Sequence, residues 1–132
     1  MSHSDITFLK TAKGGLIAGL IAAGLNNLSS LVARALGSVP PPVFPIAVTV
    51  SSIFPLLIGA ILYFLLVKFS ARGHLIFVVI GVVFTLSSLY PTFSMTEMPD
   101  GTPLGERFTL LTVPMHLSAG ALAVWGIPKF SK

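Results

Sequence analysis

Residues 46–67 read IAVTVSSIFPLLIGAILYFLLV, an apolar run without a single charged side chain. It is as long as the ~20 residues a helix needs to cross the hydrocarbon core of a bilayer. It is too long for a membrane strand and lacks the period-two alternation of one. Pro45, just before it, suits a first helical turn. Three comparable runs lie outward from it, at residues 14–37, 74–93 and 108–127, and none contains an acidic residue. The first is closed by Gly37 and by Pro40, Pro41 and Pro42, which cannot continue a helix. The expectation is an all-α fold: an integral membrane four-helix bundle forming a single transmembrane domain over residues 1–132.

Composition agrees. The chain has 132 residues, 54% of them hydrophobic and 9% charged, where a soluble domain carries about 25% charged residues. A soluble fold of this size would have a largely apolar surface. The net charge of +4 and basic pI would suit nucleic acid, but the basic residues flank the apolar runs, as they do at cytoplasmic helix ends. The bilayer is therefore the expected partner, and nucleic acid is not. With no cysteine, the chain can hold no disulfide, thiolate metal site or cysteine nucleophile.

Orientation follows from where the basic residues fall. Lys10 and Lys13 precede the first run, Lys68 and Arg72 separate the second from the third, and Lys129 and Lys132 follow the fourth. The opposite side holds Arg34, Arg107, Glu97, Asp100 and Glu106. This bias predicts a multi-pass protein of the cell inner (plasma) membrane with both termini cytoplasmic. A rival reading takes Lys10, Lys13 and the first run, with Ala33-Arg34-Ala35, as a cleaved signal peptide. The polar stretch from Asn26 would then make an unusually long region before the cut, and only three spans would remain.

Helices in lipid associate through close packing and hydrogen bonds. Gly15 and Gly19 form a Gly-x-x-x-Gly pair extended by Ala23. Packing inside the bundle is the favoured use of that face, with self-association through Gly15 and Gly19 as the alternative. At 100° per residue Gly19, Ala23, Asn26, Asn27, Ser30 and Arg34 share an arc of about 100°, small toward the cytoplasm and polar toward the outside. The fourth run gathers Thr109, Thr112, His116, Gly120 and Ala123 on one side, with Trp125 opposite as an interfacial anchor. The third carries a weaker stripe of Gly81, Thr85, Ser88 and Thr92, and the second adds Thr49 and Ser52. Pro55, Pro91 and Pro114 each remove a backbone hydrogen bond and favour a kink. Together these features predict a bundle tightly packed toward the cytoplasm and more open and polar toward the outside.

Two accounts of the outer polar residues compete. In one, Asn26, Asn27, Arg34, Ser52, Ser88 and His116 line an outward-facing site for a small polar or anionic ligand, a lipid headgroup or a quinone headgroup. In the other, which is favoured although intramembrane ionisable residues are functional candidates by default, they hydrogen-bond one another while Arg34 snorkels to the outer headgroups. Met95, Met98, Met115 and His116 match no strong metal-site pattern, and His74 lies too far from His116 to share a haem, so no metal or cofactor is expected. Catalytic motifs are absent: no Ser-x-x-Lys, no His-Glu-x-x-His and no phosphate-binding glycine loop. A pore would require several copies, and no run carries a ring of charge. The reading is a non-enzymatic membrane protein, with an oligomeric small-molecule carrier or pore as the alternative.

Several short motifs add a family resemblance: Asn26-Asn27 with Leu36-Gly37, Gly59-Ala60-Ile61-Leu62, Ser87-Ser88-Leu89-Tyr90-Pro91, and Met115-His116-Leu117 with Ala119. In these the chain resembles a family of small bacterial membrane proteins with four helices, catalogued as a domain of unknown function. The resemblance implies the four-helix topology and a bacterial membrane, and it implies no activity. The apolar, proline-rich stretch from Val39 to Pro45 does not map onto the family's pattern.

Overall fold

A computed structural model of the protein describes residues 6–36, 45–97, 101, 103–104 and 108–132. Met98, Asp100, Glu106, Arg107 and most of the stretch from Gly37 to Pro45 lie outside these. Four helices are long and apolar enough to cross a membrane: Phe8–Ala35, Pro45–Phe69, Gly73–Ser94 and Phe108–Phe130. No strand occurs among the described residues; Glu97 and Pro103 form only an isolated bridge.

Three boundaries differ from the sequence expectation, each for a local reason. The first helix starts two turns early, at Phe8, because Thr7 caps it: the Thr7 Oγ1 accepts from the Lys10 N–H at 3.3 Å. The third breaks at Leu89 and resumes as Tyr90–Ser94. Pro91 has no N–H for the Ser87 carbonyl and disfavours helical backbone at Tyr90, so the Leu89 N–H turns back to Leu86 O at 3.2 Å. The fourth runs past Ile127 to Phe130 by way of a π-helical segment, Leu122–Gly126. There the Ile127 N–H reaches back to Leu122 O, and Pro128 falls in the first turn of the closing α-helical piece, where its missing N–H is harmless. Pro55 and Pro114 sit within continuous helix.

Sequential helices pack antiparallel, as do the first and fourth, while the second and fourth run the same way and touch where Gly59 meets Ile127. Glycines set the closest ones: a Cβ on Gly15 would lie 2.9 Å from Leu56 O, and one on Gly19 3.0 Å from Ile53 Cα, so the second helix occupies the Gly15–Gly19 face of the first. Gly14 meets Ser131, and Gly126 faces Ala18, which brings the end of the fourth helix against the start of the first. The third packs on the second through Gly73 against Leu66 and on the fourth through Gly81 against Val124 and Gly120 against Thr85. This is an up-down-up-down bundle. One end, the terminal end, carries Phe8, the 70–72 turn and Phe130; the distal end carries Ala35, Pro45, Ser94 and Phe108.

The first helix is the most buried of the four and the third the least. Its Ala18 and Ala22 share the core with Ala60 and the larger Leu56, Tyr63 and Ile127. Phe54, Val79, Val83, Phe84 and Leu110 point outward and are exposed, the surface a bundle presents to lipid.

Candidate functional site: a polar clasp and a basic cleft

Asn26 is buried on the first helix, a little distal to its middle. Its Nδ2 donates to Ser52 Oγ of the second helix at 2.9 Å, and its Oδ1 accepts from Ser118 Oγ of the fourth at 2.8 Å. One residue therefore clasps three helices. The direction of every bond in it is fixed from one end. Ser52 Oγ lies 2.7 Å from the Val48 carbonyl, which can only accept, so the one hydroxyl proton of Ser52 points there. Ser52 must then accept from Asn26, which orients the carboxamide and requires Ser118 to donate. Asn27 adds a second strap: its Nδ2 donates to Ala23 O of its own helix at 2.8 Å and to Thr49 Oγ1 of the second at 3.0 Å.

These contacts account for three of the six expected site residues. Asn26, Asn27 and Ser52 are brought together, and their polar groups are spent on joining helices. The other three stand apart. Arg34 is exposed in the last turn of the first helix, and Ser88 donates to Thr85 O of its own helix at 2.7 Å. His116 is half-buried, one turn from the Gly120–Thr85 contact, and makes no hydrogen bond among the described residues. Among those residues no group of three or more His, Cys, Asp or Glu gathers as a metal site would need.

Ser118 escaped the sequence reading, which followed the polar face of His116 and Gly120 on the far side of the helix. That face turns to the third helix. Ser118 belongs to the face that meets the first, at heptad spacing from Leu111 and one turn from Leu122, both buried. A lone serine between leucines at core spacing was the available signal.

A second feature lies at the terminal end. A cleft of about 750 Å³ opens between the second, third and fourth helices. Val67, Val78, Val124 and Pro128 supply apolar walls; Tyr63, His74, Trp125, Lys129 and Lys132 supply polar and aromatic ones, with Ile6 and Ala71 at the edge. The Lys129 ammonium sits 4.1 Å from the centre of the Trp125 ring. Tyr63 is wedged between His74 and Phe77 of the third helix, with ring centroids 6.1 and 4.9 Å away. The expected opening was at the other end of the bundle.

A family model described as a family of unknown function, DUF6069, matches residues 8–132. The chain belongs to this family. The matched region takes in all four helices, so every residue of the clasp and, apart from Ile6, of the cleft lies within DUF6069. No curated protein and no solved structure matches the chain. DUF6069 carries no established activity.

Proposed function

We propose that the protein is a non-enzymatic, multi-pass protein of the cell inner membrane, both termini cytoplasmic, that works by binding at a membrane face and not by passing solute through its centre. One observation carries this reading: the Asn26–Ser52–Ser118 clasp. An aqueous path through the bundle needs polar groups facing open space. Here the polar groups nearest mid-membrane are turned on one another, and among the described residues no fully buried side-chain nitrogen or oxygen lacks a partner. In the outer half, Arg34, Ser88 and His116 are the residues outside the clasp that a small polar or anionic ligand, a lipid or a partner would meet. An intramembrane histidine that makes no hydrogen bond among the described residues is the strongest of them.

The test combines two measurements on purified protein. Proteoliposomes should show no more leakage of small ions or sugars than empty liposomes. Native mass spectrometry should find a bound small molecule or lipid that His116→Ala removes while helicity is unchanged. Solute flux by a defined oligomer would overturn the reading in favour of a carrier or pore. Unfolding of both His116→Ala and Asn27→Ala would instead assign the outer residues to structure alone.

A further inference from the structure

We propose that the terminal-end cleft is a binding site for a phosphate-bearing anionic amphiphile, with the phosphate held by Lys129, Lys132 and the Tyr63 hydroxyl and the apolar chain laid along Val78 and Val124. The site lies at the opposite end from the outer residues, so it goes beyond the function proposed above and stands or falls separately.

Four observations converge on it. The first is charge. Lys129 and Lys132 both line the cleft, and among the described residues no Asp or Glu side chain does. The described wall thus supplies two cations without an acidic side chain to balance them, and an anion would complete the site.

The second is Tyr63, which is only 4% exposed. It makes no hydrogen bond among the described residues, yet no fully buried side-chain oxygen among them lacks a partner. The small part of Tyr63 that remains accessible therefore includes its hydroxyl, and it reaches the surface in the cleft that Tyr63 lines. His74 and Phe77 fix the ring, so the donor is held in place. A phenol buried to its tip and left without a protein acceptor is a donor awaiting a ligand.

The third is the π-helical segment Leu122–Gly126, which carries Val124 and Trp125 into the wall. Such segments are rare and recur at functional sites, because the extra residue in the turn re-aims the side chains that follow. Here Lys129 follows, above the Trp125 ring.

The fourth is polarity along the cleft. Val78 lies one helical turn deeper than His74, and Val124 one turn deeper than Pro128. Deeper still, Gly81 meets Val124 and closes the space: a Cβ there would come within 2.8 Å of Val124 Cγ2. From His74 to Gly81 is about 10 Å at 1.5 Å per residue, room for a headgroup and the start of a chain. A cleft that is basic at its mouth and apolar at its floor, at the end of a membrane-spanning bundle, has the polarity of a membrane phospholipid.

Trp125 is the chain's single tryptophan, so its fluorescence reports the cleft directly. Full-length protein in neutral detergent micelles is titrated with phosphatidylglycerol or phosphatidylcholine carrying the same brominated acyl chains, which quench tryptophan on contact. Phosphatidylglycerol should quench at about tenfold lower concentration, as expected for hydrogen bonds to charged groups. Lys129→Gln with Lys132→Gln should erase the difference between the two lipids, and Tyr63→Phe should shrink it, while circular dichroism and elution volume stay constant. Lys68→Gln with Arg72→Gln removes equal charge from the same end outside the cleft and should leave the preference intact. If inorganic phosphate alone displaces the quencher fully, the anion site is upheld and its source is a free phosphate. Equal quenching by the two lipids, or equal loss of preference in both double variants, would overturn the proposal.

Discussion

Asn26 is where one side chain decides most. Its carboxamide both donates and accepts, as the direction of the clasp requires: Ser52 needs a donor because its own proton is committed to Val48 O, and Ser118 needs an acceptor. Interhelical hydrogen bonds in lipid average only about 0.6 kcal/mol, with model peptides giving ~1–2 kcal/mol. Asn26→Ala should thus lower stability by about 1–2 kcal/mol, softened because the Ser118 proton can turn to Met115 O, 3.1 Å away. Asn26→Asp should be worse despite its near-identical shape, by about 2.5–3.5 kcal/mol, because a carboxylate only accepts and must be desolvated or protonated to stay. Thermal unfolding of the two variants in one detergent gives the order, and an Asp variant as stable as the Ala variant would show the bond directions are wrong. That Asn26, Asn27 and Ser52 matter was legible in the sequence, since carboxamides inside an apolar span must find partners. Ser118 was not: a serine can satisfy itself on its own helix, so its presence in a span announces nothing, and only the packing angle of the fourth helix aims it at Asn26.

At the level of elements the contacts are written in glycine, and two glycines of the first helix separate packing from propensity. Gly15 abuts Leu56 O of the second helix, whereas a Cβ on Gly24 would meet nothing within 4 Å. Gly24→Ala should be neutral or stabilising by up to about 1 kcal/mol, the ordinary helix-propensity difference. Gly15→Ala should destabilise by about 1–3 kcal/mol, since the second helix has to move as a whole to admit the methyl. If Gly15→Ala instead left the thermal midpoint unchanged and converted a dimer to a monomer by light scattering, the glycine pair would belong to a second copy. Four spans and their order were readable because each is a long charge-free run. Their ends were not, because these depend on short-range chemistry: the Thr7 cap draws Lys10 and Lys13 into the helix, and the π-helical turn before Pro128 adds Lys129 and Phe130 to a run expected to end at residue 127. The same extension builds the cleft wall, which is why the cleft went unforeseen.

Over the whole molecule, charge and polarity run along the bundle axis in opposite senses. Lys10, Lys13, Lys68, Arg72, Lys129 and Lys132 all belong to the terminal end, with Arg34 alone among the described basic residues at the distal one. The clasp lies between, nearer the distal end. Basic residues are retained on the cytoplasmic side during insertion, so the terminal end should face the cytoplasm and with it the cleft and its lysines. That inner leaflet surface is also where anionic lipid makes the potential negative, which would concentrate the proposed ligand at the mouth of the cleft. The chain has no cysteine, so single cysteines report topology without background. Ser70→Cys, in the turn between the second and third helices, should resist a membrane-impermeant maleimide in intact spheroplasts and react after lysis. Thr96→Cys, exposed beyond the third helix at the distal end, should react in both. The reverse pattern would put the lysines outside and sever the cleft from the cytoplasmic leaflet. The clasp would remain as it is, because its bonds join helix to helix and do not depend on which way the bundle faces.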